Sequence, residues 1–264
     1  MSKKVLIIGL SSDIGEKLGE YFIKDGHEVF GTCRSTINNN HFVEDNICKL
    51  DLDSKNYDKE FLGFLEDKNE KFSIIIFSIG NLEPIGDFYS LDFCKWEQSL
   101  YLNSIAQIRV LHVLRKFLID SANVFFFHGG SPNGVLENYS AYSIGKILLA
   151  KMVEYLSVED PNIIYTILGT GWVNTKIHLQ TLKAVKESGK NYERTQEFLN
   201  QPEKGTDISE IYNCIQWIVK NGKDSVNGRN IAIVSDYINN PNRDNIFSLL
   251  DNDSNIYKLR RKDI

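Results

Sequence analysis

Short apolar runs alternate with longer stretches of helical spacing along most of the chain. Val5-Leu6-Ile7-Ile8 is followed by Ile14, Leu18, Tyr21 and Phe22 at spacings of three and four. This predicts a buried strand and then an amphipathic helix closed by Gly26. A second strand is expected over His27 to Thr32 and a third over Ile47 to Leu52, followed by a charged helix from about Asn56 to Asn69. Ser73-Ile74-Ile75-Ile76-Phe77 reads as a strand buried on both faces. A long helix is expected from about Phe93 to Ile119, with Leu100, Ile105, Ile108, Leu111 and Leu114 as its inward set. Val124 to His128, Ile163 to Leu168 and Asn230 to Val234 complete the strands, and Ala141 to Leu156 and Ile208 to Lys220 the helices.

Alternation of this kind predicts parallel pairing through right-handed crossovers that place helices on the sheet faces. The expected fold class is therefore α/β: one doubly wound parallel sheet of about seven strands, a Rossmann fold, in a single domain over residues 1–264. The polar stretch Lys176 to Asp207 interrupts the alternation. It comes after the sixth strand, where insertions often cover a site, and is expected to form a substrate lid over about 176–207.

Composition narrows the function classes. With 42% hydrophobic and 25% charged residues the chain is neither disordered nor fibrous, and a net charge of −5 argues against a nucleic-acid partner. The four cysteines, Cys33, Cys48, Cys94 and Cys214, form no CxxC pair, so reduced thiols and no metal site are expected. Lys3-Lys4 before an apolar run briefly imitates a signal peptide, but Asp13, Glu16 and Lys17 end the run early. No membrane partner and a cytoplasmic location are expected.

Candidate chemistry lies where strands hand over to helices. Gly9-Leu10-Ser11-Ser12-Asp13-Ile14-Gly15 comes directly after the first strand: Gly9 permits a tight turn, Gly15 a close approach, and Ser11, Ser12 and the amides from Ile14 onward can meet a pyrophosphate. Asp13 would oppose that anion, so it is expected to be the helix N-cap. The second strand ends in Cys33 and Arg34, with no carboxylate for a ribose. This favours the extra phosphate of NADP, with NAD left open. Tyr142 and Lys146, four residues apart at the start of a helix, share one face. The lysine, the helix N-terminus and a nicotinamide charge are together expected to lower the phenol pKa and make Tyr142 an acid–base group.

In these motifs and their order the chain resembles the short-chain dehydrogenase/reductase family, over nearly its whole length. Gly9 to Gly15 is similar to the family's glycine motif, with Asp13 at a usual glycine. Asp51-Leu52 resembles the pair that meets the adenine ring, and Ser78-Ile79-Gly80 stands where the family has Asn-Ala-Gly. The resemblance makes Asn103 the asparagine that holds a relay water, Tyr142 and Lys146 the catalytic pair, and Thr175 a contact of the nicotinamide carboxamide, with Thr170 replacing the usual proline. The family's serine stands thirteen residues before the tyrosine, which here is Gly129; Ser131, two positions later, is the candidate replacement.

The expectation is thus an NADP-preferring oxidoreductase that interconverts a carbonyl and a secondary alcohol, working as a homodimer or homotetramer on a small molecule. Lys176, His178, Lys183, Lys186, Lys190 and Arg194 would favour an anionic substrate such as a nucleotide-linked sugar. Two alternatives remain open: a catalytically silent dinucleotide-binding sensor or scaffold, and a nucleotide-sugar epimerase or dehydratase that keeps its cofactor.

Overall fold

The apolar runs become the strands of one seven-stranded sheet in which every neighbouring pair is parallel, in the order β3-β2-β1-β4-β5-β6-β7. The strands are β1 (Lys4–Ile8), β2 (Glu28–Cys33), β3 (Ile47–Lys49), β4 (Phe72–Phe77), β5 (Leu118–His128), β6 (Ile164–Gly169) and β7 (Arg229–Ala232). The computed structural model describes residues 2–34, 37, 39–129 and 134–260.

Successive side chains of a strand point to opposite faces, so each strand feeds two cores and reads as a continuous apolar run. On one face Leu6, Ile8, Phe77 and Phe126 pack against α2 (Tyr57–Lys68), α4 (Ala106–Leu114) and α5 (Ser140–Glu159) through Phe61, Leu65, Val110, Leu149 and Val153. On the other, Val5, Ile7, Ile76 and Phe125 meet α1 (Asp13–Lys24) and α8 (Ile208–Asn221) through Leu18, Phe22, Ile211 and Ile215. Strand order reverses between β1 and β4, which opens a crevice at the carboxyl ends of the strands. Gly9, Arg34, Asp51, Gly80 and Gly129 lie just beyond strand ends on that edge, and Thr175 lies farther along the segment after β6.

The expected long helix is corrected in two ways. It is built from α3 (Phe93–Leu100), a π turn (Tyr101–Ile105), α4 and a 3-10 turn (Arg115–Phe117), after which Leu118 pairs with Phe72 in the sheet. The helical spacing of Leu118 and Ile119 therefore overruns the boundary. The π turn widens the helix locally and rotates the succeeding residues about its axis, so Ile105 faces outward while Asn103, Ser104, Ala106 and Gln107 are buried. The third strand is also shorter than expected, leaving Asp51 and Leu52 in the loop beyond it. After β6 the chain forms α6 (His178–Lys183) and α7 (Lys190–Asn200); the C-terminal α9 (Ile246–Asn252) has no counterpart among the expected elements. Among the described residues no helix is long and apolar enough to cross a membrane.

Candidate active site

The turn after β1 is shaped by its glycines. Gly9 has φ +87°, and a Cβ there would lie 2.8 Å from the Ser78 carbonyl oxygen at the end of β4. A Cβ on Gly15 would lie 2.5 Å from the Gly9 carbonyl oxygen, so α1 starts directly against the turn. The N-cap expectation for Asp13 is corrected: Ser12 caps α1, its Oγ accepting from the Gly15 N–H at 2.9 Å. The cap falls to Ser12 because Asp13 has already entered helical geometry as the first residue of α1. Ser12 Oγ also shares a 2.7 Å hydrogen bond with Ser78 Oγ. Ser78, standing where the resemblance leads one to expect asparagine, thereby ties β4 to the glycine turn. Asp13 turns instead to the segment after β6, where it meets Lys176.

The other cofactor candidates lie around the same crevice. Thr32, inside β2, accepts the Gly9 N–H through its Oγ1 at 3.0 Å. Arg34 is exposed just beyond the end of β2, Asp51 is exposed and Leu52 is buried. Ser11 lies at the turn, Ile14 in the first turn of α1, and Thr175 is half-buried beside Lys176. The donor set suits a nicotinamide dinucleotide: a helix N-terminus and an ammonium beside the glycine turn for a pyrophosphate, and a guanidinium for a further phosphate. Among the described residues no cluster of acidic, histidine and cysteine side chains could hold a metal ion.

Tyr142 stands in the first turn of α5, and Lys146 one turn later is 2% exposed. The lysine Nζ donates to the Ile79 carbonyl at 2.7 Å and lies 5.9 Å from the centroid of the Tyr142 ring. Burial pushes Lys146 down to about 7. Burial also pushes Tyr142 up to about 12, opposite to the lowering expected from sequence, because desolvation disfavours the phenolate. Gly129 abuts the phenol: a Cβ there would lie 1.9 Å from the Tyr142 hydroxyl oxygen. Ser131 lies outside the described residues. His128 is buried at the end of β5, its Nε2 has no hydrogen-bond partner among the described residues, and burial with the nearby Lys146 charge holds it down to about 4.

Asn103 sits in the π turn, against α5. A Cβ on Gly145 would lie 2.9 Å from the Asn103 Cβ, so only glycine lets the helix approach. Both polar ends of Asn103 are committed: Oδ1 accepts from the Asn81 N–H at 3.0 Å, and Nδ2 donates to the carbonyls of Asn81 at 2.8 Å and Ser99 at 2.9 Å. The side chain thus braces the loop after β4. Gln180 of α6 extends the brace, accepting from the Leu82 N–H at 2.7 Å and donating to Asn81 Oδ1 at 2.9 Å. Sequence reasoning misses Gln180 and Asn81, since a lone Gln in a polar segment carries no signal.

Leu82, Ile85 and Tyr139 form a small apolar cluster with Leu136, Tyr142, Ile177 and Ala184, and Tyr139 shares a 2.9 Å hydrogen bond with Thr181. Of the basic residues after Thr175, Lys176 meets the glycine turn through the Ser11 carbonyl. Lys183, Lys186, Lys190 and Arg194 are exposed, and His178 stacks on Trp172 with ring centroids 5.4 Å apart, its pKa lowered by burial.

This sheet order, with a tyrosine–lysine pair on α5 and a glycine turn after β1, is the fold of short-chain dehydrogenase/reductase structures. A short-chain dehydrogenase/reductase from Saccharomyces cerevisiae superposes with a TM-score of 0.75 at 18% identity, over 91% of this chain and 97% of that one. A short-chain dehydrogenase family protein from Francisella tularensis gives 0.73 at 20% identity, over 88% of this chain and 97% of that one. BdcA in complex with NADPH gives 0.65 at 15% identity, over 87% of this chain and 92% of that one. No family model matches the chain, and no curated protein matches its sequence.

Proposed function

We propose that this chain is an NADP-preferring oxidoreductase that interconverts a carbonyl compound and a secondary alcohol. The observation that carries the reading is the Tyr142–Lys146 pair on the first two turns of α5, with Lys146 buried and anchored to the Ile79 carbonyl. A nicotinamide held in this crevice would supply the hydride in reduction and accept it in oxidation. Tyr142 gives its phenol proton to the substrate oxygen in reduction and takes one back in oxidation. A lysine that titrates at about 7 is protonated in a large fraction of molecules at neutral pH. Its ammonium and the positive end of α5 then offset the burial that otherwise keeps the phenol neutral. Gly9, Ser11, Ser12, Ile14 and Gly15 would hold the pyrophosphate, Arg34 the additional phosphate, Asp51 and Leu52 the adenine, and Gly80 and Thr175 the nicotinamide half. Asn103 braces the loop between them. Ser131 is the serine candidate for orienting the substrate.

The NADP preference rests on Arg34 and on the absence of a carboxylate at the described end of β2; the NADPH-bound structural neighbour is consistent with it. The apolar cluster beside Tyr142 favours a neutral substrate over the anionic one suggested by the basic residues after Thr175. The segment 176–207 acts as the lid. One observation favours a second reading, a dinucleotide-binding protein without turnover: Gly129 at the usual serine position, with the Tyr142 hydroxyl against it. NADPH consumption with a panel of neutral ketones and aldehydes separates the two. Turnover supports the enzyme, whereas NADPH binding with no turnover on any carbonyl supports the silent binder.

A further inference from the structure

The segment after β6 is fastened across the phosphate turn by one residue. The Lys176 backbone N–H donates to Asp13 Oδ2, its ammonium lies 3.3 Å from Asp13 Oδ1, and the same ammonium donates to the Ser11 carbonyl at 2.9 Å. Asp13 and Lys176 are 163 residues apart, so the contact belongs to the tertiary fold and not to a local turn. Asp13 has no capping duty, because Ser12 performs it. Lys176 is 62% exposed, and an ion pair so open to water contributes little to folding. Its consequence lies in its position at the positive end of α1, where an anion is most favoured. Asp13 supplies negative charge there already, and the ammonium that balances it sits against the turn.

We propose that Lys176 is a ligand of the dinucleotide's phosphates and that Asp13 holds it in place in the free protein, giving it up when the cofactor arrives. This rests on the dinucleotide-binding reading above. Cofactor binding then exchanges one anionic partner of Lys176 for another, so Lys176 raises affinity and Asp13 lowers it. The exchange also reaches the lid. Lys176 lies two residues before α6, whose Gln180 is bonded to the Leu82 N–H, so the same short segment touches both halves of the crevice.

The test is calorimetric titration of the full chain with NADPH and with NADH, for the unaltered protein and for Lys176→Met, Lys176→Arg and Asp13→Asn. Lys176→Met is expected to raise the NADPH Kd about tenfold, Lys176→Arg to keep it within about twofold, and Asp13→Asn to lower it about threefold. Thermal midpoints should stay close to that of the unaltered protein, as both side chains are solvent-accessible. The opposite signs are decisive. If Asp13→Asn and Lys176→Met both weaken binding to a similar degree, the pair is a structural staple and the proposal is overturned; unchanged affinity in Lys176→Met overturns it as well. If the unaltered chain binds neither NADPH nor NADH, the dinucleotide reading itself fails and this proposal with it.

Discussion

Gly129 and Tyr142 compete for one volume: a Cβ built on Gly129 would lie 1.9 Å from the Tyr142 hydroxyl oxygen and 2.8 Å from Cζ. The phenol therefore reaches its place only because position 129 has no side chain. Introducing the serine that the family resemblance leads one to expect should not improve the site. Gly129→Ser is expected to push Tyr142 aside, to cost about 1–3 kcal/mol of stability through overpacking, and to lower kcat/KM at least about tenfold. Thermal unfolding and steady-state kinetics check this. Higher activity with unchanged stability would show that the phenol moves freely and that the tight contact is not a feature of the working enzyme.

The segment after β6, the proposed lid, is held to the loop after β4 by Gln180 through both ends of its amide. Gln180→Ala leaves the Leu82 N–H without that acceptor, at a cost of about 1–3 kcal/mol. Hydrogen exchange at Leu82 is expected to quicken, and the KM for the carbonyl substrate to rise while the Kd for NADPH stays the same. A change confined to cofactor affinity would contradict this assignment of the lid to substrate.

Burial of two bases fixes the sign of the pH dependence. His128 is held down to about 4 from an ordinary value of 6.5. The unfolded chain thus binds more protons between these values, and stability is lost as pH falls from about 6.5 toward 4. Lys146, held down to about 7 from 10.5, acts the same way in a higher window: its contribution is full above 10.5 and is lost as pH falls through about 7. Tyr142, raised to about 12 from 10.0, opposes this only above about pH 10. Chemical denaturation from pH 4 to pH 9 is expected to show stability rising with pH. The slope below about pH 6.5 should flatten in His128→Phe, and the slope above about pH 7 in Lys146→Met. Equal slopes in all three proteins would mean that neither base is buried neutral.

Most of the sheet is legible in the sequence because strands buried on both faces leave uninterrupted apolar runs, as Ile74-Ile75-Ile76-Phe77 does. The glycine turn and the Tyr142–Lys146 spacing are legible because each is local, set by a few consecutive residues. The hidden features depend on distant partners. Asn103 lies in a π turn that helical periodicity does not announce, so periodicity points Ile105 at the core when it faces out. Ser12 takes the cap that Asp13 is expected to supply, and Asp13 is explained only by a lysine from the segment after β6. Lysines 183, 186 and 190 gather in sequence and are exposed, but charge count along a chain says nothing about which helix face it occupies.

The most direct test is the rate of NADPH oxidation on a neutral ketone or aldehyde substrate by the unaltered chain and by Tyr142→Phe, with NADPH affinity measured alongside. Loss of the phenol proton donor is expected to lower turnover by at least about a thousandfold while leaving the NADPH Kd within about twofold. Turnover retained in Tyr142→Phe at a comparable rate would contradict the assignment of Tyr142 as the acid–base group.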